Sequence, residues 1–305
     1  MVYTLGEMLL DVISEKDIPR ESYIRHGYPG GAMLNAAVSL ARTNVDTALI
    51  SEVGDDATGS FLTDFLKENH VETKYIRQYQ NCFSPVALAR LDARKKPTYT
   101  FQKSYPAQRS LITPTLFTAS DMLLFGSLYA LDPDIRMEIR KITHTARAAG
   151  SLIMYDPNIR QAEQLSNKKS KEALFENLKL STIIKGSDED FDTIFGRQSP
   201  ENHITALQDT NPEAVIFITL GAQGALAAWK NQIIKKPAKK TKVVSTIGAG
   251  DGFNAGLLAE IVHSRISKAE LPRYLEKLLD SGIAFSAAVC NSADNYIPKD
   301  KFYIR

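Results

Sequence analysis

Two cysteines in 305 residues, Cys82 and Cys290, are too few and too far apart for a metal or redox spacing. Such scarcity suits a reducing compartment. No Asn-x-Ser/Thr acceptor occurs. No apolar run is long enough to span a bilayer. Glu7 and Asp11 interrupt the only N-terminal apolar stretch, so no signal peptide is read and a cytoplasmic location is expected. Charge of one sign is also missing. Lys and Arg number 37 against 35 Asp and Glu, a net +2 that excludes a global field for nucleic acid. The densest basic run, Lys235 to Lys242, lacks the interleaved aromatics that stack bases and reads as a solvated loop. Its place before a glycine turn would let it draw in an anionic nucleotide. The Walker pattern Gly-x-x-x-x-Gly-Lys-Ser/Thr is absent, and Phe253 occupies the third glycine position of a Rossmann fingerprint. The five His are scattered and take no role. There is no internal repeat and no low-complexity linker.

What is present reads as an ordinary globular α/β chain, 44% hydrophobic and 24% charged, long enough for one large domain or two smaller ones. Strand-like segments (Val2 to Leu5, Thr47 to Val53, Met122 to Phe125, Leu152 to Tyr155, Thr182 to Lys185, Val215 to Leu220) alternate with helix-like ones (Ala32 to Arg42, Thr58 to Asn69, Pro133 to Ala149, Asp251 to Ser264, Leu271 to Val289). Alternation predicts a mostly parallel sheet covered by helices on both faces. From Thr73 to Lys103 the sequence reads as strands without helices, and Val12 to His26 is helix-poor. These pieces are expected to form a small separate sheet that acts as a lid, the alternative being an edge extension of the main sheet.

The most informative stretch is Gly248-Ala249-Gly250-Asp251-Gly252, between the β-branched run Val243 to Ile247 and the apolar run from Leu257. Strand, glycine turn and helix are expected in that order. The first amides of a helix lack internal partners and attract phosphate. A carboxylate in such a turn, Asp251, fits a base that takes a proton from a hydroxyl attacking a phosphoryl group. The alternative is a structural glycine corner with Asp as a cap. A second glycine element, Pro29-Gly30-Gly31-Ala32, precedes a helix that carries Asn35 one turn in, and an Asn amide can both donate to and accept from vicinal hydroxyls.

Together these two motifs resemble the ribokinase-like (PfkB) carbohydrate kinase family. The fructokinase branch is indicated by Gly6 to Asp11, Val53-Gly54-Asp55-Asp56, Phe125-Gly126-Ser127-Leu128, Asp156-Pro157-Asn158-Ile159-Arg160 and Thr219-Leu220-Gly221-Ala222-Gln223-Gly224. The resemblance covers nearly the whole chain. It implies one domain over residues 1–305, a three-layer α/β sandwich with a mostly parallel central sheet, and a small β lid near residues 12–27 and 73–104. It implies an ATP-dependent kinase acting with Mg2+ on a sugar primary hydroxyl, fructose to fructose 6-phosphate first. Asp251 would be the base and Gly248, Ala249 and Gly250 the anion hole. Asp11, Gly30, Gly31, Asn35, Phe101, Lys103 and Arg160 would hold the sugar. Lys185, Ser187, Thr219, Gly221 and Gly224 would hold the nucleotide, with Asp190 meeting the metal through water. Exposed lid strands would favour a homodimer; no nucleic acid or membrane partner is expected.

Three departures accompany the match. Ser245-Thr246-Ile247 stands where the family often has Asp-Thr-Thr, so a monovalent cation should bind weakly or not at all. Ser187-Asp188-Glu189-Asp190 replaces Asn-x-x-Glu. Phe101-Gln102-Lys103 replaces Phe-Tyr-Arg, and Lys lacks the bidentate fork of Arg, so the sugar can differ. The alternatives are a kinase for 2-keto-3-deoxygluconate, ribose or a nucleoside, or a non-catalytic sugar sensor, against which the retained Asp251 and Gly248 to Gly250 argue.

Overall fold

The structure, a computed structural model, describes residues 1–14, 27–91, 97–159 and 161–299. Among these residues, thirteen strands and eight α-helices follow in chain order: β1 (Val2–Leu5), β2 (Leu9–Ser14), β3 (Gly27–Gly30), α1 (Ala32–Ala41), β4 (Thr47–Gly54), α2 (Ala57–Glu68), β5 (Ile76–Tyr79), β6 (Val86–Leu91), β7 (Pro97–Gln102), β8 (Met122–Gly126), α3 (Arg136–Ala148), β9 (Leu152–Asp156), α4 (Lys168–Leu180), β10 (Ile183–Ser187), α5 (Asp188–Phe195), α6 (Pro200–Thr210), β11 (Val215–Thr219), β12 (Ala225–Trp229), β13 (Gln232–Lys236), α7 (Ala249–His263) and α8 (Leu275–Cys290). Nine strands form one sheet in the order β13-β12-β11-β10-β9-β8-β1-β4-β5. From β11 to β5 every pairing is parallel, and the hairpin β12–β13 closes one edge in antiparallel fashion.

The central strands are apolar throughout because both of their faces are covered. Along β8 and β9, Leu124, Leu152 and Met154 enter one core, with α1, α2, α7 and α8; Leu123, Phe125, Ile153 and Tyr155 enter the other, with α3 to α6. Successive side chains on a strand point to opposite faces, so this split is the period of 2 made visible. Helix α7 is buried from Asp251 to Ile261, packed against α1 and α8. It is apolar all round rather than on one stripe, as a helix enclosed by neighbours requires.

A second sheet of four strands, β3-β2-β6-β7, stands beside the first. Its β2–β6 pair is parallel and its outer pairs antiparallel. Residues 15–26 of the expected lid lie outside the described residues. The segment ending at Tyr79 does not join this sheet. β5 pairs in parallel with β4, from Ser51 opposite Ile76 to Gly54 opposite Tyr79. Helix α2 immediately before it is the crossover that carries the chain back, so β5 is an edge of the main sheet. Two further readings change. The run Val243 to Ile247 is no strand: Val243, Val244 and Ile247 are at least half exposed, and the Val244 and Ser245 amides donate to the Cys290 carbonyl. β-branched residues favour a strand only where a neighbouring strand accepts them. Lys235 and Lys236 belong to β13, and the Lys236 ammonium is fixed by Glu276 and Asp280 of α8.

Candidate active site

The parallel strands all end on one edge of the sheet, and the sequence order reverses between β1 and β8. Open α/β sheets bind ligands at such a switch point, outside the carboxyl ends of the strands. Three groups of residues converge there.

The first is the glycine turn. Gly248 caps α7 with φ 78°, and a Cβ added there would overlap the Asn295 carbonyl, so both conformation and space demand glycine. The Gly252 amide starts the helical ladder on the Gly248 carbonyl at 2.7 Å, while the Ala249 amide closes a turn onto Thr246 at 3.3 Å. Asp251, 9% exposed, sits in the first turn of α7. Its Oδ2 accepts from Nδ2 of Asn35 at 2.8 Å. Asn35 lies in the first turn of α1, and its own Oδ1 is buried with no protein partner. One hydrogen bond thus joins the two motifs that lie 216 residues apart.

The second group lies where the small sheet meets α1. Gly31 has φ 105°, and a Cβ there would overlap the Glu7 carbonyl. The Asp11 carboxylate lies against the backbone of Gly30. Burial pushes the Asp11 carboxyl up to about 6. Tyr28, Asp11, Ala87 and Phe101 stand in one row across β3, β2, β6 and β7. Lys103 follows β7 but is engaged with two acids, Glu7 Oε1 at 3.5 Å and Asp132 Oδ2 at 3.7 Å. Arg160 lies outside the described residues.

The third group surrounds Lys185. Its ammonium is 4% exposed, donates to Asp156 Oδ2 at 2.9 Å, and stands beside Gly250 of the turn. Asn254 donates to the same Asp156 oxygen at 2.6 Å. The partner of Asp156 is therefore Lys185, together with Asn254. Asp190 caps its own helix: its Oδ2 accepts from the Ser187 amide and hydroxyl at 2.7 and 2.8 Å, and its amide donates to Ser187 Oγ. Burial and the nearby Asp156 raise the Asp190 carboxyl. Oδ1 of Asp156 and of Asp190 is buried without a protein partner. Thr219, Gly221 and Gly224 share the tight turn after β11, closed by Leu220 N to Gly224 O at 2.8 Å and Gly224 N to Gly221 O at 3.1 Å. Ser245 Oγ is taken by the Ile247 amide.

Asp156 and Asn254 went unassigned among the candidate site residues. Asn254 carries a readable signal, since it stands three residues after Asp251 and so shares its helix face. Asp156 is an acid at a strand end whose partner, Lys185, is contributed by another strand.

Comparison with known proteins agrees with the fold. Residues 1–301 match the pfkB family carbohydrate kinase model. A fructokinase of Rhizobium leguminosarum bv. trifolii is 30% identical over 92% of this chain and 86% of its own length. An ATP-dependent 6-phosphofructokinase of Thermoanaerobacterium thermosaccharolyticum is 28% identical over 94% and 86%. The crystal structure of fructokinase from Vibrio cholerae O395 with fructose, ADP and calcium ion superposes with a TM-score of 0.82 at 24% identity, covering 96% of this chain and 94% of that one. Two glycine turns joined by a hydrogen bond, a sheet of this topology and a family match over residues 1–301 together show that the chain belongs to the pfkB family of carbohydrate kinases.

Proposed function

We propose that this kinase transfers the γ-phosphoryl group of ATP to a sugar primary hydroxyl, with fructose as the acceptor and fructose 6-phosphate as the product. The observation that carries the reading is the Asn35–Asp251 hydrogen bond, which sets a carboxylate between the sugar turn and the anion turn. Asp251 accepts the hydroxyl proton as the oxygen attacks phosphorus. The amides at the start of α7 and the Lys185 ammonium stabilise charge on the transferring group. Asp11, Gly31 and Asn35 orient the sugar, with Phe101 and Lys103 at its outer side. Thr219, Gly221 and Gly224 line the nucleotide. The exposed Val243, Val244 and Ile247 offer an apolar wall at the same end. The acceptor's identity is supported by relatives named fructokinase.

Among the described residues no group of three His, Cys, Asp or Glu could hold a metal. The hard, unpartnered oxygens of Asp156 and Asp190 still suit Mg2+ and its waters. Bound with the phosphates, Mg2+ would neutralise their charge. Ser245 offers only a neutral hydroxyl, already accepting from the Ile247 amide, so potassium would bind weakly there. The test is ADP release by purified protein with Mg-ATP across fructose, ribose, 2-keto-3-deoxygluconate and a nucleoside. Fructose should give the highest kcat/KM. Turnover confined to another acceptor would displace fructose, and ADP release independent of any sugar would displace the kinase reading.

A further inference from the structure

Seven side chains form one connected cluster at the corner between the two sheets. Glu52, in the middle of β4, is 0% exposed, which is unusual for a carboxylate. Arg109 covers it, with Nε at 3.0 Å from Oε1 and Nη2 on the same oxygen, and the Tyr129 hydroxyl donates to that oxygen at 2.9 Å. The other arm of Arg109 reaches Asp132 Oδ2 at 2.7 Å. Lys103 bridges Asp132 and Glu7. The Tyr105 ring lies between the two cations, 4.5 Å from the Arg109 guanidinium and 5.7 Å from the Lys103 ammonium. Among the described residues, three carboxylates thus face two cations. The corner borders the sugar turn directly, because the Glu7 carbonyl lies against Gly31.

We propose that Glu7 and Asp132 determine specificity by occupying Lys103, so that the sugar site accepts an uncharged polyol and rejects a sugar acid or a sugar phosphate. This rests on the reading of Lys103 as a sugar-side residue. An ammonium has three donors and no acceptor, and a carboxylate only accepts, so Lys103 beside Glu7 offers both halves of a diol contact. An anionic substituent at Lys103 would stand beside Glu7 and Asp132, with Arg109 engaged by Glu52 and Asp132. One uncompensated charge at about 6 Å, in an effective dielectric of about 20, disfavours it by about a hundredfold.

The experiment compares fructose, 2-keto-3-deoxygluconate and fructose 6-phosphate on the full chain. It reads kcat/KM from ADP release with Mg-ATP, and Kd by calorimetry without nucleotide. In the unmodified protein fructose should exceed both anionic sugars by about a hundredfold. Glu7→Gln/Asp132→Asn should shrink that ratio by about tenfold or more, and adding Lys103→Met should remove the gain. Glu7→Gln alone, checked by thermal melting, covers the case in which the double variant fails to fold. An anionic sugar that matches fructose in the unmodified protein overturns the proposal, as does a ratio that the substitutions leave unmoved or failure of all three sugars to bind. If sugars bind but none is phosphorylated, the kinase reading falls while the calorimetric ratio still decides this one.

Discussion

At the scale of the residue, Asp251 and Asp11 are the two carboxylates of the proposed sugar site, and their surroundings differ. Asp251 lies in the first turn of α7, bonded to Asn35, where the proposed reaction needs a base. Asp251→Ala should lower kcat by about a hundredfold or more with little change in sugar Kd, read by steady-state kinetics beside calorimetry. A near-normal kcat would remove the assignment. Asp11 is raised to about 6 by burial. In the proposed site its ionised form would accept from sugar hydroxyls, and its protonated form would give up an acceptor. Sugar KM should therefore rise as pH falls through about 6 while ATP KM stays level, and Asp11→Asn should flatten the profile. A pH-independent sugar KM in the unmodified protein would take Asp11 out of the sugar site.

At the scale of the element, the first turn of α7 depends on Gly248, and a second glycine supplies the control. Gly248 and Gly196 both have positive φ, 78° and 86°, but a Cβ meets the Asn295 backbone at the first and nothing within 4 Å at the second. Gly196→Ala should cost about 1–3 kcal/mol of backbone strain, since φ 86° with ψ 155° is a conformation nearly confined to glycine, and leave kcat alone. Gly248→Ala must also move backbone, and should lower both the melting temperature and kcat. Equal effects of the two on kcat would show that the turn does not set the chemistry. The two glycine turns were legible in the sequence because a positive φ and a close backbone approach leave few residues to choose from. The Val243 to Ile247 run misled for the opposite reason. Its residues are good strand formers, but the fold gives them no strand to pair with. β5 misled because a strand's sheet depends on its partner, β4, which lies across a helix.

At the scale of the molecule, the alternation of strands and helices foretold a mostly parallel sheet between two helical layers, since apolar β-runs need cover on both sides. The order of the strands, with β1 between β8 and β4, depends on contacts across the chain and was not readable. Nor was the Glu52–Arg109–Asp132 network, whose members come from three separate segments. The sheet is what keeps the strand ends in register, so a core defect should lower stability before it touches chemistry. Leu124 of β8 is fully buried in the layer shared with α1 and α7. Leu124→Ala should cost about 2–5 kcal/mol in urea unfolding while kcat per folded molecule stays within about twofold. A loss of kcat at full folding would mean that the site feels the core directly.

The Asn35–Asp251 hydrogen bond also bears on what the enzyme does while no acceptor is present. An amide already occupies one lone pair of the base, which makes that carboxylate a poorer partner for a stray water. Were Asp251 the base, idle hydrolysis of ATP would thereby be held down until a sugar rearranges Asn35. Asn35→Ala should then slow sugar phosphorylation yet raise ADP release in sugar-free buffer by several-fold, by about 1 kcal/mol on the barrier. If that background rate stays flat, the amide only positions the sugar, and the enzyme's thrift with ATP must arise elsewhere in the molecule.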